Sequence, residues 1–303
     1  MKCYKSLSLI IALATFVSLN VQAKNGLYFS HRKSAQSMSA AQVPLVAPVN
    51  NLNYYGGPVI SHAHVYVVYW GNNVRPETQA KIGKFYKTVL KSTYMDWLTE
   101  YNSNLTALDG RAGTKQKIGR GEYEDSFTIN PFDTRVNIDD VDIQAELAKQ
   151  VSAGVLPKGN NKNLFMIYFP PGMTITAAGA TSCKEFCAYH GFSGAPETPH
   201  TYYGVMPDIS GDCFKGCAYS PKYFDALTSI SSHELIEAIT DPFPTPGDKP
   251  SYPQAWNDSK GAEIGDLCQK DTNVVSEHES FVVQTLWDNK TNACTTSDWK
   301  ADD

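Results

Sequence analysis

The residues best placed to do chemistry lie in Ser232-His233-Glu234-Leu235-Ile236-Glu237-Ala238-Ile239-Thr240-Asp241-Pro242. On a helix, His233 and Glu237 stand four positions apart and leave from one face. An imidazole and a carboxylate so spaced can hold a divalent cation, as the two histidines of a His-Glu-x-x-His helix hold zinc. Glu237 takes the place of the second histidine. Glu234 then has the position of a general base, able to take a proton from a metal-bound water. Zinc hydrolases use three protein ligands and keep a fourth position open. The third is expected downstream, from Glu263 or Asp266 in Glu263-Ile264-Gly265-Asp266-Leu267-Cys268. The shorter Asp266, beside a cystine anchor, is the preferred ligand, and the other carboxylate can hold a ligand's far nitrogen. The plainer reading of the same stretch is an amphipathic helix with Leu235, Ala238 and Ile239 facing a core and the rest a polar face.

Two carboxylates and one imidazole cancel the charge of a divalent cation. Such a site lowers the pKa of a bound water less than three histidines do, so Glu234 matters more as base. Zinc is the first expectation, and the carboxylates also admit Mn, Fe or Co. Other groups could assist. His190 is a candidate for polarising a substrate carbonyl, and the phenol of Tyr202 or Tyr203 for stabilising an oxyanion, although each tyrosine also reads as a packed strand aromatic. Asp241 precedes Pro242, which biases it out of the helix. It reads as a turn aspartate or as support for the site. His62 and His64, two apart, would share one face of a strand and could chelate a metal, or simply be surface strand residues. His200 and His278 have no motif around them. No Gly-x-Ser-x-Gly elbow and no phosphate-cradling loop occurs, which removes serine nucleophiles and nucleotide binding from consideration.

Elements must bring these residues together. Lys2 and Lys5, the apolar run Leu7 to Leu19 and Val21-Gln22-Ala23 have the form of a signal peptide over residues 1–23, too short for a membrane span. Lys2 and Lys5 account for two of 26 basic residues, so 24 then face 31 acidic ones, a net charge of −7. With no basic cluster, nucleic acid and anionic membranes are not expected partners, and no membrane anchor is expected. Six cysteines remain: Cys183, Cys187, Cys213, Cys217, Cys268 and Cys294. In an exported chain they read as three disulfides rather than a four-thiolate zinc site. The expected pairing bridges the two Cys-x-x-x-Cys pairs to each other and joins Cys268 to Cys294. Residues 24–50 read as a linker or short pro-segment, and 51–303 as one domain.

Within that domain His64 to Trp70 and Leu164 to Phe169 are apolar enough for strands covered on both faces. Further strands are expected around Ser126 to Asn130 and from Tyr202 to Met206. Pro76 opens a helix carrying Ile82, Phe85, Tyr86, Val89 and Leu90, and Ile138 to Ala153 forms another. Residues 173–200 read as a disulfide-tied loop holding His190. Alternating strands and helices imply an α/β fold, a layered mixed sheet flanked by helices and stabilised by disulfides.

Several stretches also carry a family resemblance. Tyr55-Gly56-Gly57-Pro58-Val59-Ile60, Phe186-Cys187-x-x-His190-Gly191, Tyr203-Gly204-Val205, Cys213-x-x-x-Cys217-Ala218 and Thr240-Asp241-Pro242 occur in order, followed by Glu263…Cys268. This ordered set resembles the Exordium, or phosphate-induced, protein family from about residue 54 onward. Plant members are extracellular growth-related proteins without the His233/Glu237 motif. The chain is similar to a microbial branch that reads His-Glu-x-x-Glu-Ala-x-Thr-Asp-Pro, then Trp-x-Asp and Glu-x-x-Asp-x-Cys. That branch implies a zincin-like metallopeptidase acting on peptide or protein. The plant pattern keeps a Glu near residue 263 without the metal motif, which again points to Asp266. The plant members imply the alternative, a secreted non-enzymatic binding or signalling protein with a structural cation site.

Overall fold

The computed structural model describes residues 27–31, 51–196, 198–245, 249–295 and 297–302, the first segment by its backbone alone. The expected signal peptide lies outside the described residues, as does most of the stretch 24–50. Strands β1 (Leu27–His31), β2 (His64–Trp70), β3 (Glu122–Ile129), β4 (Asn163–Tyr168), β5 (Phe186–Ser193) and β6 (Thr201–Met206) form one sheet. Its order is β1-β5-β6-β4-β2-β3. β6, β4, β2 and β3 are mutually parallel, and β5 runs antiparallel to both of its neighbours.

Three helices cover the sheet: α1 (Pro76–Val89), α2 (Asp140–Ser152) and α3 (Tyr223–Thr240). Val65, Val67, Leu164, Met166 and Tyr202 belong to a core shared with α1 and α3. Val68, Phe165, Ile167, Tyr203 and Val205 belong to a second core under α2. A sheet covered on both faces needs apolar residues at successive positions rather than alternate ones. All six residues of β4 are accordingly buried. The mixed α/β architecture is the one the sequence implies.

Helix α3 lies deepest. Of its 18 residues 16 are buried. It packs on β5 and β6 on one side, and on the other against the strand β8 (Ser280–Gln284), which pairs antiparallel with β7 (Asp271–Val275). It is therefore not an amphipathic surface helix: the side with His233 and Glu237 is covered too. Leu235, Ile236 and Ile239 are fully buried. At roughly 1.5–3 kcal/mol each, such side chains hold the helix in place while its carboxylates leave water.

Three disulfides pin the elements around α3: Cys183–Cys213, Cys187–Cys217 and Cys268–Cys294. This is the expected pairing. The first two tie the start of β5 to the short helix Asp212–Cys217 that leads into α3. The third holds the segment after Asp266 against Cys294.

Two local expectations are corrected. His190 lies in β5, inside the sheet, and not in a loop. The two flanking cysteines and Gly191 look like loop chemistry, and burial on both faces erases the alternation that marks a strand. Residues 27–31, within the expected linker, form a strand antiparallel to β5. Leu27-Tyr28-Phe29 is rich enough in strand-favouring aromatics to pair with an open edge. No helix among the described residues is long and apolar enough to cross a membrane.

Candidate metal centre

The side chains of His233, Glu237 and Asp266 converge. His233 Nε2 lies 3.0 Å from Glu237 Oε2 and 3.8 Å from Asp266 Oδ1. Glu237 is fully buried, His233 is 4% exposed and the Asp266 side chain is 7% exposed. His233 Nε2 and Glu237 Oε2 are within ion-pair distance, and both atoms are buried. Asp266 also accepts a hydrogen bond from the Glu263 backbone N–H at 3.0 Å through its other oxygen, Oδ2.

The far side of His233 is held by Gln284, at the end of β8. The Gln284 amide nitrogen donates to the carbonyls of Gly265 and Cys268, at 2.6 and 2.5 Å. Carbonyls only accept, so the amide orientation is fixed and Oε1 must face His233. Gln284 Oε1 is 3.1 Å from His233 Nδ1. Nδ1 therefore carries a proton and donates it, and Nε2 faces the carboxylates. A metal-binding imidazole needs this arrangement. Gly265 closes the site from above. Its N–H donates to Glu237 Oε1 at 3.2 Å. A Cβ at this position would fall 2.6 Å from His233 Nδ1 and 2.9 Å from Glu237 Oε1.

A second group lies beside the first. His190, from β5, is fully buried. Its Nε2 lies 3.1 Å from the Asp241 carbonyl oxygen at the end of α3 and donates to it. Nδ1, left without a hydrogen-bond partner, faces Glu234 Oε2 at 3.5 Å and Glu237 Oε2 at 3.8 Å. Glu263 Oε1 is 3.7 Å from the other edge of the ring. Two sets of side chains could thus hold a metal ion, His233–Glu237–Asp266 and His190–Glu237–Glu263. Within each, the ligand atoms lie within 4.8 Å of one another.

The electrostatics would suit a bound cation. Burial raises the pKa of Glu263 well above the carboxylate range, and the charges of Glu237, Asp241 and Asp266 add to this. Burial likewise raises Glu237, against the opposing pull of His233. Burial lowers His233, but the Glu237 carboxylate beside it outweighs this and lifts its pKa to about 10. Burial lowers His190. The chain thus surrounds two imidazoles with largely buried carboxyl groups. A dication would satisfy these oxygens, and imidazole with carboxylate is a donor set that suits zinc, manganese, iron or cobalt.

The remaining candidates fall elsewhere. Tyr203 is corrected: its hydroxyl donates to Asp140 Oδ1 at 2.9 Å, in the core under α2 on the opposite face of the sheet. Strand alternation turns Tyr203 away from α3 and leaves its neighbour Gly204 level with His190. Tyr202 points the right way but packs on His200 and Phe243. Asp241 is a buried cap, its carboxylate accepting from the Ala255 N–H at 2.7 Å and the Asn257 amide at 2.6 Å. It supports the site through its carbonyl on His190. His62 and His64 do not form a pair. His62 precedes β2 and contacts the Arg120 carbonyl, whereas His64 contacts Glu124. Gln284 and Gly265 escape a reading of the sequence. The one available hint is a polar residue closing Phe281-Val282-Val283-Gln284, a strand otherwise apolar at its inner positions.

No protein-family model, no curated protein and no solved structure matches the chain.

Proposed function

We propose that the protein is a secreted metal-dependent hydrolase of peptide bonds, with His233, Glu237 and Asp266 holding the catalytic ion. The observation that carries this is the convergence of an imidazole nitrogen and two carboxylates, with Glu234 set one residue beyond His233. A cavity of about 30 Å³ opens against His233, Gly265, Asp266 and Gln284, room for about one water. A divalent cation held here would supply Lewis acidity and lower the pKa of a water. Zinc is the first choice. Glu234 accepts the proton of the attacking water and returns it to the leaving amine. Gln284 holds the His233 ring and its protonation, and Gly265 leaves room for the ring and carboxylate to meet. The resemblance to the microbial Exordium branch supports the same reading, and the three disulfides suit an extracellular site of action.

Glu234→Gln should keep metal content and fold while lowering peptidase activity by about 10²- to 10⁴-fold. Activity on a mixed peptide library, measured beside bound zinc, reads both. Unchanged activity in this variant would sink the catalytic role.

Narrow access favours one other reading. Glu234 is fully buried and the cavity admits no side chain, as suits a structural cation in a non-enzymatic binding protein. In that case His233→Ala lowers the melting temperature and removes the metal, and neither the wild type nor any variant cleaves the library.

A further inference from the structure

His190 and Glu263 are left over once one cation has been given to His233, Glu237 and Asp266. Their own approach, His190 Nε2 to Glu263 Oε1, is 3.7 Å, too long for a hydrogen bond. Glu263 is fully buried and neither of its carboxylate oxygens has a hydrogen-bond partner. A buried carboxylate without a partner is costly to ionise, and a cation beside it removes that cost. His190 Nδ1 is equally bare, and the ring cannot turn to cure this without giving up the bond from Nε2 to the Asp241 carbonyl. Glu237 Oε2 stands between the two imidazoles, 3.0 Å from His233 Nε2 and 3.8 Å from His190 Nδ1. The two ligand sets share Glu237 and nothing else. One ion at the centre of all five side chains does not fit that division; an ion on each side of Glu237 does.

We propose that a second divalent cation binds between His190 and Glu263, with Glu237 bridging it to the first. The inference rests on the first cation position and goes beyond it in stoichiometry and in the part played by His190. His190 becomes a metal ligand through Nδ1, its far nitrogen held by the Asp241 carbonyl as the far nitrogen of His233 is held by Gln284. It does not polarise a carbonyl. The second ion has one nitrogen and two carboxylates as protein ligands, a set open to zinc and manganese alike. Glu234, with Oε2 3.5 Å from His190 Nδ1, borders the second position.

The test is a metal count on the purified protein, stripped with a chelator and dialysed against Zn²⁺ or Mn²⁺ alone. Two ions per chain are expected in the wild type and one in Glu263→Gln. The Mn²⁺-loaded wild type should give the paramagnetic resonance spectrum of an exchange-coupled pair, and Glu263→Gln that of an isolated ion. A wild type with one ion, kept in Glu263→Gln and lost in His233→Ala, overturns the second position and leaves the first standing. Two ions in both the wild type and Glu263→Gln overturn the assignment to Glu263, and none in the wild type overturns both positions. Should Glu263→Gln fail to fold by circular dichroism, the wild-type count and its coupled spectrum decide alone.

Discussion

At the scale of single residues, the site depends on groups that orient its ligands as much as on the ligands. Gln284 makes three contacts at once, accepting from His233 and donating to two carbonyls of the ligand loop. Gln284→Leu keeps the volume and loses all three. Zinc affinity should fall about 10- to 100-fold, as measured by competition with a chromophoric chelator, while the unmutated ligands remain in place. Gly265→Ala tests close approach: the added methyl meets both His233 and Glu237. About 1–3 kcal/mol of stability should be lost on urea unfolding, together with metal affinity, and an unaffected variant would show that the loop yields easily. The His233/Glu237 pair was legible from sequence because a helix fixes which residues share a face. Gln284 and Gly265 were not, since both act through approach to a helix some thirty to fifty positions away. Tyr203 failed for a related reason. A strand's period shows which residues lie together on a face but not which helix that face meets.

At the scale of elements, α3 is held between a sheet and a hairpin, and the disulfides fix the segments that bring the remaining donors to it. Loops closed by 26 or 30 residues correspond to about 3–4 kcal/mol each by chain entropy. The Cys268–Cys294 bridge has the more local effect because it lies two residues beyond Asp266. Replacing both cysteines by serine should weaken metal binding more than it disturbs the sheet. Far-ultraviolet circular dichroism compared with bound metal separates the two, and metal binding equal to wild type would count against this account. Most of the strands and helices could be read from sequence, because apolar runs and proline stops are local signals. His190 reads as a loop residue from sequence because β5 is covered on both faces and shows no alternation. The strand at residues 27–31 is not legible from its own sequence, because pairing with an edge depends on what the edge offers.

At the scale of the whole molecule, the buried acids make stability depend on pH and on metal together. The pKa of Asp241 is raised to about 7 by burial, against hydrogen bonds from Asn257 and Ala255, and Glu237 and Glu263 are raised in the same direction. An acid with a folded pKa above its unfolded one contributes fully below the unfolded value. That contribution is lost as pH rises through the folded value. His233, raised to about 10, acts in the same sense above its unfolded pKa. His190, lowered, opposes it only on the acid side of its own unfolded value. The chelated protein should therefore lose stability between about pH 5 and 8, and added zinc should restore more of it at the higher pH, because binding releases protons. Thermal unfolding with chelator and with zinc across that range checks both; a chelated protein more stable at pH 8 than at pH 5 contradicts the assignment. The donors come from β5, α3, the 263–266 segment and, in support, β8, segments that meet only when the sheet, the hairpin and the disulfides are complete. On the proposed function, capture of an ion is then the closing event of maturation, and a secreted chain that oxidises outside the cell takes the metal its surroundings supply, whatever ions were abundant where it was synthesised.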